Sequence, residues 1–116
     1  MTIVRHQSNK ILSQAVEHGG LVYVAGQVAN DTKQGVRGQT EQILKQIDDL
    51  LAAAKSDKSR ILSANIWLAD IRTRDDMNQA WMAWADAKNL PARATVEAKM
   101  AAPDVLVEIM VVAAQK

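Results

Sequence analysis

The sequence predicts an α+β domain: one mixed β-sheet with two helices packed on one of its faces. Three observations carry this. Two segments place apolar residues at helical spacing, and the intervening segments alternate apolar and polar residues with the period of a strand. The resulting order is strand, strand, helix, strand, helix, strand, strand. Strand-helix-strand units favour right-handed crossovers, which place both helices on the same face. A chain of 116 residues builds one core and not two, so residues 1–116 read as a single domain.

The elements follow in order. A further short strand is expected at residues 2–6. Residues 12–17 and 21–27 flank His18-Gly19-Gly20, and a Gly-Gly pair suits a two-residue hairpin turn. Val22, Tyr23 and Val24 favour extended backbone. Residues 30–35 are polar and turn-like. From about Arg37 to Lys55, the residues Ile43, Ile47, Leu50, Leu51 and Ala54 form one helical stripe, with Glu41, Lys45, Asp48 and Asp49 mostly off it. Ser56-Asp57-Lys58-Ser59 breaks that pattern, and residues 61–69 then alternate as a strand. Thr73 or Asp75 is expected to cap a second helix running to about Lys88, with Met77, Ala80, Trp81 and Trp84 on its apolar face. Asn89-Leu90-Pro91 closes it, because the residue before proline avoids helical geometry. Strands at about 93–99 and 105–114 complete the chain.

The last strand is apolar on both faces: Val105, Val107, Ile109 and Val111 on one, Leu106, Met110 and Val112 on the other. Two helices cover only one face, so other subunits are expected to cover the second.

Composition narrows the function. A net charge of +1 without a basic stripe gives no electrostatic footprint for nucleic acid. No cysteine is present, which removes a thiolate nucleophile, a disulfide framework and a cysteine metal site. The two histidines, His6 and His18, lack metal-ligand spacing, and Gly26 does not belong to a phosphate-cradling loop. No cofactor and no metal are expected. The first residues lack the apolar core of a secretory signal, and the longest apolar tract, broken by Glu108, falls well short of the ~20 residues that span a bilayer. A cytoplasmic location without membrane contact is the expectation.

The last third of the chain carries the chemistry. In Pro91-Ala92-Arg93-Ala94-Thr95-Val96-Glu97, alternate side chains place Arg93, Thr95 and Glu97 on one face. Glu108 shares a face with Leu106, Met110 and Val112, where a charge is costly unless paired. A guanidinium grips both oxygens of a carboxylate, and a carboxylate can position water and accept its proton. The structural alternatives are an ion pair of Arg93 with Glu97 or Glu108, or simple exposure. Asp48-Asp49 and Asp75-Asp76 read as solvated or capping, and Trp81 and Trp84 as packing.

Gly19-Gly20-Leu21-Val22-Tyr23-Val24-Ala25-Gly26-Gln27, Met77-Asn78-Gln79-Ala80-Trp81, the Pro91–Glu97 motif and Val107-Glu108-Ile109 together resemble the RidA/YjgF family of enamine/imine deaminases. Met1-Thr2-Ile3-Val4-Arg5 and residues 63–70 look closest to its RidB-like bacterial subgroup. The resemblance covers nearly the whole chain. It implies a chorismate-mutase-like fold, a homotrimer with active sites between subunits, and hydrolysis of reactive 2-imino or enamine acids to 2-keto acids and ammonia without a cofactor. The substrates it implies are of the 2-aminoacrylate, 2-iminopropanoate or 2-iminobutanoate type.

By the same resemblance, Arg93 binds the substrate carboxylate, the backbone at Thr95 contacts substrate, and Asn78 lies near the pocket. Glu108 orients or activates the attacking water. Ala25, beside Gly26, stands where many members carry a hydroxyl residue, and Leu12 roughly where an aromatic residue closes the pocket. These departures leave open a second function, a non-catalytic module that binds small carboxylic or keto acids at the inter-subunit cleft. A third, RNA cleavage, has the charge balance against it.

Overall fold

The computed structural model describes Thr2–Lys116. Its strands are β1 (Val4–His6), β2 (Ala15–His18), β3 (Leu21–Gln27), β4 (Ile61–Leu68), β5 (Ala92–Glu97) and β6 (Val107–Ala114); its helices are α1 (Val36–Ala53) and α2 (Arg74–Trp84). The strands form one sheet in the order β1-β2-β3-β6-β4-β5, antiparallel except for the parallel β4–β5 pair. β6 is therefore central, flanked on both sides. That is where a strand with two apolar faces belongs, because an edge would expose it.

Alternation decides what each face buries. Val22, Val24, Ala64, Ile66, Leu68, Val107, Ile109 and Val111 point to the helix side and are buried. They meet Ile43, Leu44, Ile47 and Leu51 of α1 and Met77 and Trp81 of α2 in a single core. Burying each such large side chain stabilises the fold by about 2 kcal/mol. Among the described residues, the opposite face has no second layer: Tyr23 is 46% and Val96 48% exposed, while Val16, Trp67, Met110 and Val112 are only half-buried. Among the described residues, no helix is long and apolar enough to cross a membrane.

Gly19 and Gly20, at φ +60° and +80°, make the expected β2–β3 turn. Several boundaries differ from the sequence reading. β2 begins at Ala15, because the Asn9 side chain draws the backbone amides of Ile11 and Leu12 into a turn that occupies the expected start of the strand. α2 stops at Trp84, four residues before Lys88, where Asp86 accepts from the Lys88 amide and the Asn89 side chain. Neither Thr73 nor Asp75 caps α2 through its side chain. Asp70 instead accepts from Arg72 N at the preceding 3-10 turn, Ile71–Thr73. β6 begins at Val107 rather than 105, because the Leu106 amide donates to the Gln39 side chain instead of to a strand.

Two polar residues have partners that the sequence does not signal. Asp48 is not simply solvated: it accepts a hydrogen bond of 3.0 Å from Trp84 Nε1. His6 does have an acidic neighbour, because β1–β2 pairing brings it onto the buried Glu17.

Candidate functional site

Sheet register places each candidate. Arg93 pairs with Ala64 across the parallel ladder, and Ala64 pairs with Val111, so all three share the helix-facing side. There the guanidinium stacks 5.1 Å from the centroid of Trp81, an arrangement worth about 0.5–1 kcal/mol. Desolvation against this wall, and secondarily the like charge of Arg74, lower its pKa from the ordinary value. A guanidinium remains cationic at any working pH regardless. Among the described residues Arg93 has no ion-pair partner: Glu97 accepts instead from the Ile71 amide. The structural alternatives for Arg93 thus reduce to a cation left free at a surface cleft.

That cleft lies between α2 and the start of β5 and encloses about 650 Å³. Asn78 and Trp81 fall three apart on one face of α2, and Arg93 joins them from β5. Met82, Leu90 and Pro91 supply apolar wall, Asp75 and Gln79 polar wall. Thr95, two residues along the same face, has a buried hydroxyl without a hydrogen-bond partner.

Glu108 pairs with Trp67, an odd number of residues from the Ala64–Val111 pair, and therefore points to the other face of the sheet. Between Val24 and Gln27, β3 spends one more residue than β6, so Ala25 and Gly26 bulge opposite Met110. Gly26 has no Cβ, and one built there would collide with the Glu108 carboxylate. The carboxylate thus rests against bare backbone, in a recess of about 220 Å³ that Trp67, Lys99 and Met100 also line. It accepts no hydrogen bond from the described residues.

One chain therefore carries two groups of candidate residues, two candidate half-sites. Arg93, Asn78 and the flank of Thr95 lie on the helix side; Glu108, Gly26 and Ala25 lie on the open side. Leu12 belongs to neither, being 44% exposed in the Asn9 turn. Sequence reasoning missed the Trp81 stack under Arg93, although the three-residue step from Asn78 signals it. It also missed Trp67 and Lys99 beside Glu108, which no local pattern marks. Among the described residues, no three His, Asp or Glu side chains gather as a metal site.

The fold defines a class of small proteins built from one mixed sheet and two helices, here with a cleft between α2 and β5 beside Arg93. The family model described as Endoribonuclease L-PSP matches residues 2–115. A RutC family protein of Haemophilus influenzae is 46% identical over 114 residues, 97% of this chain and 98% of the relative. The RutC family protein YoaB of Escherichia coli is 41% identical, covering 98% and 99%. A crystal structure of a YjgF family member from Neisseria meningitidis superposes with a TM-score of 0.97 at 38% identity, covering 100% of this chain and 97% of that one. The chain belongs to this RutC/YjgF family, whose L-PSP model spans nearly all of it, as the motif resemblance implied.

Proposed function

We propose that this protein hydrolyses small reactive 2-imino acids to 2-keto acids and ammonia at sites shared between subunits. The observation that carries this reading is Arg93: an unpaired guanidinium, stacked on Trp81, facing a cleft that Asn78 also lines. A fork of this kind fixes a planar carboxylate in one orientation. Glu108 then serves from a neighbouring chain. Water adds to the carbon of the protonated imine and gives a proton to the Glu108 carboxylate. The resulting carbinolamine takes that proton on nitrogen and expels ammonia, and its hydroxyl proton passes back to Glu108 as the keto acid forms, so no electron acceptor is consumed. The reaction needs orientation more than activation, which suits a site without a nucleophile.

The test couples a pyridoxal-phosphate-dependent dehydratase to this protein and follows decay of the released imine. Arg93→Ala is expected to lower kcat/KM by about 100-fold, and Arg93→Lys by nearly as much, since an ammonium lacks the fork. Glu108→Gln is expected to lower kcat by about 100-fold with little change in KM. Unchanged imine decay in Arg93→Ala sinks the reading.

A second reading, carboxylate capture without turnover, is favoured by one observation: Glu108 and Arg93 face opposite ways in each chain. Calorimetric titration with 2-ketobutyrate separates the two, because tight binding without imine decay supports capture alone. RNA cleavage draws support only from the family model's description. Against it stand the net charge of +1 and the engagement of His6 with Glu17.

A further inference from the structure

Three glutamines interlock where β2, β3 and α1 meet, away from the Arg93 cleft. Gln27 is buried, and its Nε2 donates to the Ala25 carbonyl at 3.0 Å and to Gln14 Oε1 at 2.9 Å. Both of its hydrogens are thereby used. Its Oε1 accepts from Gln46 Nε2 at 3.2 Å, and Gln46 gives its other hydrogen to the Val28 carbonyl at 3.1 Å. None of these amides can be turned over, because a flipped Gln27 would set its oxygen against the Ala25 carbonyl. Among the described residues, the chain of bonds therefore leaves Gln14 with a free NH₂ and Gln46 with a free carbonyl.

Gln14 and Gln46 both line a pocket of about 370 Å³, together with Gly26, Gln27, the amide residues Gln7 and Asn30 and the apolar Val28 and Leu50. Its one charged wall residue, Asp49, is already engaged by Lys45 at 2.6 Å. Gln7, at the rim, is held at φ +48°, a conformation that costs a non-glycine residue about 1 kcal/mol.

We infer that this pocket binds a small, neutral, planar molecule through a cis-amide edge, such as a lactam or cyclic ureide. The ligand's carbonyl takes the Gln14 NH₂, and its N–H is given to Gln46 Oε1. A carboxylate ligand is disfavoured, since the Gln46 carbonyl and the Asp49 carboxylate would meet it with oxygen. The site requires no Arg93, although Gly26, against which the Glu108 carboxylate lies, forms part of its wall.

The experiment titrates 15N-labelled protein with 2-piperidone and with N-methyl-2-piperidone, reading side-chain amide resonances. Saturable shifts at Gln14, Gln27 and Gln46 are expected with 2-piperidone. The N-methyl compound, which lacks the donor, is expected to bind at least about ten-fold more weakly. Gln14→Glu is expected to abolish the response, and Arg93→Ala to leave it intact. Absence of saturable shifts, equal binding of the two compounds, or loss of binding in Arg93→Ala overturns the proposal. Should Gln14→Glu fail to fold by circular dichroism, the comparison of the two compounds on the unmodified protein decides.

Discussion

Gly26 shows what one missing methyl group does. It lets the Glu108 carboxylate lie on the β3 bulge, where any side chain would displace it. The displaced atoms are the far end of a flexible side chain, so the fold has room to adjust. Gly26→Ala is therefore expected to cost less than about 1 kcal/mol in stability, yet to lower imine turnover ten-fold or more. Binding of 2-ketobutyrate, which depends on Arg93, is expected to persist. Thermal unfolding, turnover and calorimetry on the one variant check all three. Joint loss of turnover and keto-acid binding counts against separate roles for the two half-sites.

At the scale of elements, buried polar side chains do what backbone ladders cannot. Gln39 is fully buried in α1, and its Nε2 lies within hydrogen-bond distance of the carbonyls of Thr32, Gln34 and Asp104. Its Oε1 accepts from Leu106 N. It thus pins the loop before α1 to the one that launches β6. Gln39→Leu leaves these groups unpaired and is expected to cost about 2–4 kcal/mol, measured by chemical denaturation. Glu17 links β1, β2 and the C-terminus in the same way, accepting from His6 and from Gln115. The His6 hydrogen bond, ahead of that from Gln115, outweighs desolvation and lowers its pKa below the ordinary 4.5. A depressed carboxylate stabilises the fold fully above its unfolded value and loses that contribution as pH falls through the folded one. Acidification below about 4.5 is thus expected to weaken the wild type more steeply than Glu17→Gln, read as unfolding free energy against pH.

At the scale of the whole molecule, the uncovered sheet face and the opposed half-sites lead to one consequence. If turnover needs both Arg93 and Glu108, they meet only across a boundary between chains. Arg93→Ala and Glu108→Gln are each expected to keep only about 1% of wild-type activity alone. Unfolded together and refolded as a random equal mixture, they are expected to regain about one quarter of wild-type activity, the chance that a site draws each intact residue from a different chain. No recovery means that the two residues do not cooperate between subunits. Val112→Glu, on the open face, is expected to dissociate the assembly in sedimentation analysis and to abolish turnover with it.

Much of this was legible in the chain. The two-residue period alone put Arg93, Thr95 and Glu97 on one face and Glu108 with Met110 and Val112, because pleating fixes parity within a strand. The Gly19-Gly20 hairpin and α1 were equally local. The early end of α2 was not, because the Asp86 turn competes with helix through a side chain rather than through periodicity. The His6–Glu17 contact and the Gln14–Gln27–Gln46 relay join residues that only strand pairing and helix packing bring together. The sequence by itself determined which groups share a strand face. Tertiary structure alone decided that Arg93 and Glu108 face opposite ways, since their relation runs through β4, β5 and β6, and only the order and register of those strands carry parity from one to the next.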